Sequence, residues 1–351
     1  MAYDVTSFST YAKGITDAEW GYNRDGEKLP QINLGCYYGQ QNALPVFYVT
    51  YPGSIVDKSH LSYMMAYNDE LGIEDTTFVM DKGFCSTANV GYMCAAHLSF
   101  ILGVEGRHKA TRAAIDAVRE TIVTMRRRIR SGVYADCVHG LFYGETTDMY
   151  IYCDPALAER QRTDLSRTVE SQSEILSQLK QLTAKEAKRY ATYFDIIRAD
   201  DGTFSFKRNL DKIDAAARDA GFFCLLTNTV TDADEVLSTY RRRDMIEKNF
   251  DELKNHIDMK RLHTHNSNTT EGKLFVAFIA LIALSHLSAV LGTLLTDWSM
   301  SKDSLITEME KAKVVFASGG RRLMNPLTKT QKEVLLAFGL SEKDLMTYIS
   351  P

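Results

Sequence analysis

The chain lacks most of the features that would set it apart from ordinary globular proteins. Its six cysteines, Cys36, Cys85, Cys94, Cys137, Cys153 and Cys224, are scattered and form no C-x-x-C pair. This pattern suggests neither a zinc ribbon nor a disulfide framework, so the thiols read as reduced groups of a cytosolic protein. No strong charge of one sign is present: 41 Lys and Arg stand against 45 Asp and Glu, a formal net charge of −4. That balance argues against a wholly basic nucleic-acid coat protein but leaves room for a local basic stripe. No basic segment followed by an apolar one opens the sequence, so a secretory leader is not expected. Internal repeats and low-complexity segments are missing too. One long apolar run stands alone, from Leu274 to Leu295. It is long enough to span a bilayer, yet soluble-type sequence flanks it on both sides. A helix buried in a large core is the expectation, and no membrane partner.

What remains is 351 residues with 45% hydrophobic and 25% charged residues. That suffices for a good core in one large domain or two smaller ones. Two β-like runs, Ile32 to Tyr38 and Leu44 to Tyr51, flank the polar turn Gly39-Gln40-Gln41-Asn42 and predict a hairpin ended by Pro52-Gly53. A helix is expected at about 59–71, then the apolar strand Thr76 to Met80, which runs directly into Asp81-Lys82-Gly83-Phe84. A further helix near 87–97 and the strand Phe100-Ile101-Leu102 follow. Strands in a meander, then alternating helices and strands, predict an α/β fold: a mixed sheet flanked by helices. From about Arg107 to Ala220 the pattern turns polar and helical with β-like pieces, and Pro155 to Tyr190 reads as an exposed helix or helical hairpin. The core pattern returns at Phe222 to Leu226. The expected segments are 1–103, 104–220, 221–300 and a helical tail over 301–351.

A long helix is expected from about Asp232 to Ile257, carrying Tyr240, Arg243, Glu247 and Lys254. At about 100° per residue, with Glu247 at zero, Tyr240 falls near +20°, Arg243 near −40° and Lys254 near −20°. All four share one stripe at the edge of the apolar face made by Ile246, Phe250, Leu253 and Ile257. A carboxylate there can reach a metal at a sheet rim, and flanking cations can reach phosphates. A solvated helix with an Arg243–Glu247 pair is the bland alternative.

The spacing Y-x2-R-x3-E-x6-K resembles the Y-R-E-K motif of DDE transposases of the insertion-sequence-four type. Tyr3-Asp4-Val5-Thr6 resembles that family's first catalytic strand, and Asp81-Lys82-Gly83-Phe84 its second aspartate motif. Leu29-Pro30-Gln31 and Tyr51-Pro52-Gly53 sit where the family has its second strand and the turn after its third. The resemblance covers nearly the whole chain, loosely between about 104 and 220, where the family carries a variable insertion. It implies a ribonuclease H-like core with an insertion before the last catalytic helix. Asp4 would lie on the first strand, Asp81 at the end of the fourth beside it, and Glu247 on the helix packed against that sheet.

The resemblance also implies chemistry. Asp4, Asp81 and Glu247 would be the catalytic acids, holding two Mg²⁺ or Mn²⁺ ions with Asp4 bridging. Hard cations of this kind prefer oxygen ligands and keep several waters, and paired ions suit phosphodiester cleavage. Tyr240, Arg243 and Lys254 would position the DNA backbone. The implied reaction is cleavage at the ends of a bacterial insertion sequence, then strand transfer into target DNA. The implied partner is double-stranded DNA, bound by a homodimer in the cytoplasm at the nucleoid. Family members carry a DNA-binding region ahead of the first catalytic strand, whereas here the first aspartate is residue 4, so an N-terminally truncated protein is expected. A catalytically inactive remnant that still binds DNA is the alternative. Two weaker expectations are a basic cluster at Arg126 to Arg130 contacting phosphate, and Trp20 packing into the protein rather than stacking on a base.

Overall fold

The early β-branched and aromatic runs form strands that are buried almost throughout, Ala2–Ser9 and Gln31–Gly39 above all, as strands covered on both faces are. The computed structural model describes residues 1–229, 232–316 and 322–349. Within the expected tail, 317–321 and 350–351 lie outside the described residues. The chain divides into two compact units, residues 1–3 with 56–243, and residues 4–55 with 244–351.

In the unit formed by 1–3 and 56–243, a mixed sheet runs from β4 (Thr77–Met80) through β5 (Ser99–Gly103), β10 (Phe222–Thr227) and β7 (Glu145–Cys153) to β6 (Tyr134–Phe142). β4 and β5 are parallel, and the other pairings are antiparallel. Ahead of β4, Ala2 pairs in parallel with Val79, so the start of β1 (Ala2–Ser9) lies beside β4. Central β10 matches Leu225 to Gly103 on one side and to Tyr150 on the other. Ile101, Tyr150, Tyr152 and Leu225 form a buried cluster with Val236 and Leu237 of α7 (Ala233–Arg241).

The middle of the chain adds α3 (Lys109–Val118), the long α4 (Pro155–Gln178), α5 (Ala184–Tyr190), α6 (Leu210–Asp219) and the hairpin β8 (Phe194–Arg198) with β9 (Phe204–Arg208). α4 starts where Asp154 accepts from the Ala156 and Leu157 backbone and Pro155 fills the first turn, a position that needs no N–H. Val169, Leu176, Tyr190 and Phe194 make a separate small core here.

In the other unit, the order is β3 (Leu44–Pro52), β2 (Gln31–Gly39), then the body of β1. The expected hairpin is present, antiparallel, with Ile32 opposite Pro52 and one irregularity at Tyr37/Tyr38. The apolar run forms α9 (Ser267–Asp297), against which β3 packs, with the Tyr48 and Phe278 rings tilted against each other, centroids 4.7 Å apart. The expectation of a helix buried in a large core holds for one face of α9. Leu274, Phe278, Leu281 and Leu291 are buried, but Phe275, Val276 and Ile279 are exposed, and only 33% of the most apolar window is buried. By length and composition α9 is the one such helix able to cross a membrane among the described residues. α10 (Lys302–Met309) and α11 (Lys329–Ala337) complete a cluster of Leu291, Leu295, Leu305 and Val334.

The thiols follow burial. Cys36, Cys85, Cys153 and Cys224 are buried, Cys94 is half-buried and Cys137 is exposed. Burial pushes the Cys224 thiol up to about 12 and the Cys85 thiol to about 11. Partial burial and the Asp148 charge raise the Cys137 thiol as well, but it alone is exposed, so it is expected to react first with a disulfide reagent in the native protein, and all six after denaturation. Rapid native reaction of a Cys137→Ser variant at another position would contradict this.

Candidate active site

Asp81 follows β4 directly, which fixes its backbone at the end of a buried strand. Its Oδ1 accepts from the Lys82 backbone N–H at 2.7 Å and caps the 3-10 turn Lys82–Phe84. Opposite it stands α7. Asp232 caps this helix by accepting from Asp234 and Glu235. Val236 and Leu237 are buried on its sheet-facing side. Tyr240 lies three and four residues further on, so it shares their face. Its hydroxyl donates to Asp81 Oδ1 at 3.4 Å. Burial, then the Asp81 charge, pushes the Tyr240 hydroxyl up to about 12, which keeps it a donor at neutral pH. The Arg243 guanidinium lies over the Tyr240 ring, 5.6 Å from its centre.

A cleft of about 900 Å³ opens at this point in the same unit. Asp81, Lys82 and Tyr240 line one part of it, and Arg107, Arg112 and Arg119 another. Two of those arginines are paired: Asp219 meets Arg112 at 3.0 Å and Arg119 at 2.7 Å, and Asp116 meets Arg119 at 2.9 Å.

Asp4, Glu247 and Lys254 belong to the other unit. Asp4 is half-buried within β1, where its Oδ1 accepts from the Val5 backbone at 2.8 Å. Its charge adds to the burial that pushes the Cys36 thiol far up. Glu247 is exposed in the first turn of α8 (Asp244–Asp251). Lys254 follows in the π-helical segment Glu252–His256, an arrangement often found at functional sites. Its Nζ is held by both Asp25 oxygens, at 2.9 and 2.8 Å. Sequence reasoning missed this partner, which lies 229 residues away.

The single long helix expected over 232–257 is corrected to three pieces. α7 ends at Arg241, the Arg243 N–H turns back to the Tyr240 carbonyl at 3.0 Å, and α8 starts at Asp244. A constant step of 100° therefore does not run from Tyr240 to Lys254, and the common stripe is not a property of one helix. Among the described residues no group of three or more His, Cys, Asp or Glu is gathered to hold a metal ion.

Other expectations fare unevenly. The basic cluster is partly neutralised: Arg127 pairs with Asp136 at 2.9 Å and Arg130 lies 3.8 Å from Asp234. Trp20, expected to pack, is 66% exposed and Tyr22 is 82% exposed. Their loop is nonetheless pinned. The Glu19 and Gln31 backbones exchange two hydrogen bonds, and Gln31 Nε2 donates to the Tyr22 carbonyl at 2.8 Å.

The sequence profile of the family described as "Transposase DDE domain" matches residues 1–283. The chain belongs to this family of DDE transposases. Among curated proteins none matches it. Among solved structures, the chain is similar to the piggyBac transposase seen by cryo-EM in a synaptic complex with hairpin DNA. The identity is 8% and the TM-score 0.38, over 100% of this chain and 54% of that one. The chain thus spans about half the length of that transposase.

Proposed function

We propose that the chain is the catalytic core of an insertion-sequence transposase of the insertion-sequence-four type, which cleaves double-stranded DNA at element ends and joins the freed 3′-hydroxyl to target DNA. The observation that carries this reading is the family match over residues 1–283, which encloses Asp4, Asp81 and Glu247. The placement of the aspartates supports a ribonuclease H-like core. Asp4 lies in β1 and Asp81 directly after β4, whose Val79 pairs with Ala2. On this reading segments 1–103 and 221–300 make the core, 104–220 is the insertion and 301–351 a helical tail. The protein would act as a homodimer on DNA in the cytoplasm.

The three carboxylates offer hard oxygen donors that suit Mg²⁺ or Mn²⁺. Asp4, Asp81 and Glu247 would hold two such ions, which when bound supply charge neutralisation at the reacting phosphate. Three carboxylates repel one another without cations, so a gathered cluster is not required of the metal-free chain. Arg243 and Lys254 would position the DNA backbone, and Lys82 and Arg107 add positive charge along the cleft beside Asp81. In cleavage, a water oxygen forms the new bond to phosphorus while the bond to the 3′ oxygen breaks, and that oxygen leaves with a proton. In joining, the 3′-hydroxyl attacks a target phosphate and displaces another 3′ oxygen.

A metal-dependent nicking and strand-transfer assay on supercoiled plasmid tests this. Nicking with Mn²⁺ that stops on chelation is the expected result. The second reading is a remnant that binds DNA without cutting it. DNA binding with no nicking at any metal concentration would establish it.

Lys254 gives a separate prediction. A phosphate must compete with Asp25 for its ammonium. Asp25→Asn is therefore expected to tighten DNA binding at low salt and to steepen its salt dependence by roughly 0.9, one phosphate contact on B-DNA. Unchanged affinity and slope in a fluorescence-anisotropy titration would show that Lys254 does not reach DNA.

A further inference from the structure

The route by which Tyr240 meets Asp81 depends on an absent side chain. Gly103 ends β5 and pairs with Leu225 of β10. It is not among the residues of positive φ, so backbone conformation does not demand glycine there. Space does. A Cβ at Gly103 would lie 2.5 Å from the Tyr240 hydroxyl oxygen, 3.3 Å from Tyr240 Cζ and 3.0 Å from the Lys82 backbone nitrogen. The first distance is far inside van der Waals contact.

The two groups that crowd this gap are the two that donate to Asp81 Oδ1, the Lys82 N–H at 2.7 Å and the Tyr240 hydroxyl at 3.4 Å. The ring has little freedom to retreat, because Tyr240 packs against the cluster of Ile101, Leu225, Val236 and Leu237. At 3.4 Å the hydroxyl contact is already longer than the roughly 2.5–3.0 Å of ordinary O–H···O bonds, so a small displacement removes it.

We infer that Tyr240 is a positioning residue for Asp81, and that Gly103 is glycine to let the tyrosine hydroxyl reach that carboxylate. The inference rests on the reading of Asp81 as a metal ligand. With the Lys82 N–H at 2.7 Å and the Tyr240 hydroxyl at 3.4 Å both directed at Oδ1, rotation of the carboxylate is restricted and Oδ2 is the oxygen turned toward a cation. Outer-shell partners of this kind change the affinity of the ligand they orient without touching the metal. Tyr240 then contributes through Asp81 and not through contact with DNA. The arrangement also links β4, β5 and α7, so the strand end, the neighbouring strand and the helix set one carboxylate together.

The test combines Mn²⁺ binding by calorimetry on the full chain with DNA binding by anisotropy. Tyr240→Phe and Gly103→Ala are each expected to weaken Mn²⁺ binding by roughly tenfold, the lower end of the range for outer-shell changes, with DNA affinity unchanged. The double variant is expected to lose little more than either single one, since the closest clash of a methyl group at 103, with the hydroxyl at 2.5 Å, is gone once Tyr240→Phe is in place. Independent, multiplying losses would overturn the link between the two residues. Weaker DNA binding by Tyr240→Phe with wild-type Mn²⁺ affinity would overturn the positioning role. If Gly103→Ala does not fold, Tyr240→Phe alone decides between these. Asp81→Asn separates the layers. If it binds Mn²⁺ as the wild type does, the reading of Asp81 as a ligand fails. If it loses Mn²⁺ while Tyr240→Phe does not, that reading stands and the inference fails.

Discussion

Asp81→Asn and Glu247→Gln are each expected to lower Mn²⁺-dependent DNA nicking by roughly three orders of magnitude, the scale on which losing one charge-stabilising group acts at a reacting centre. Both changes keep side-chain shape and remove one negative charge, so they separate charge from packing. Neither should unfold the protein. Glu247 is exposed on the first turn of α8, where a surface change moves stability by only about ±0.5 kcal/mol. Asp81 caps a short turn through one oxygen, and asparagine can cap equally well. Melting curves within a few degrees of wild type, together with lost nicking, are the expected pair of results. Nicking retained by either variant would remove that residue from the acidic set.

Gly53→Ala is expected to destabilise the protein by about 3 kcal/mol or more, the upper range for overpacking a close contact. A Cβ there would lie 2.2 Å from the Gln31 carbonyl oxygen, 2.5 Å from the Glu19 carbonyl oxygen and 2.7 Å from Gln31 Cγ. The two oxygens are backbone atoms already engaged in the mutual hydrogen bonds of Glu19 and Gln31. They cannot retreat without breaking that bridge, and buried backbone groups left without partners are costly. Gly21 makes the matching approach, its own missing Cβ falling 1.8 Å from the Gly53 carbonyl oxygen. The loop that carries Trp20 and Tyr22 is thus clamped to the hairpin by two glycines. Urea unfolding measures the effect, and a variant as stable as wild type would show that the loop can shift without loss.

The sequence made some of this legible and hid the rest for physical reasons. The hairpin of β2 and β3 was readable because aromatic and β-branched runs flank a polar turn, and pairing of Ile32 with Pro52 follows that pattern. The strand before Asp81 was readable because Thr77 to Met80 is short, apolar and ends at an acid. Gly53 was readable only as the end of a strand, since its real function is room for two backbone carbonyls. Gly103 gave no signal beyond a strand boundary, because the ring that needs its space arrives from Tyr240, far along the chain. The break after Arg241 was invisible: Arg242 and Arg243 include neither glycine nor proline, so periodicity simply continued through them. The pairing of Lys254 with Asp25 joins segments 229 residues apart and has no local pattern at all. The exposed face of α9 was hidden because Phe275, Val276 and Ile279 are as apolar as the buried residues beside them.

The central claim is that Asp4, Asp81 and Glu247 serve one metal-binding function. Calorimetric titration of Mn²⁺ into the wild type and into Asp4→Ala, Asp81→Ala and Glu247→Ala tests it most directly. Measurable binding by the wild type is expected, with a loss of roughly tenfold or more, on the scale seen for outer-shell changes or beyond, in each variant. Equal Mn²⁺ binding by wild type and Asp81→Ala would contradict it.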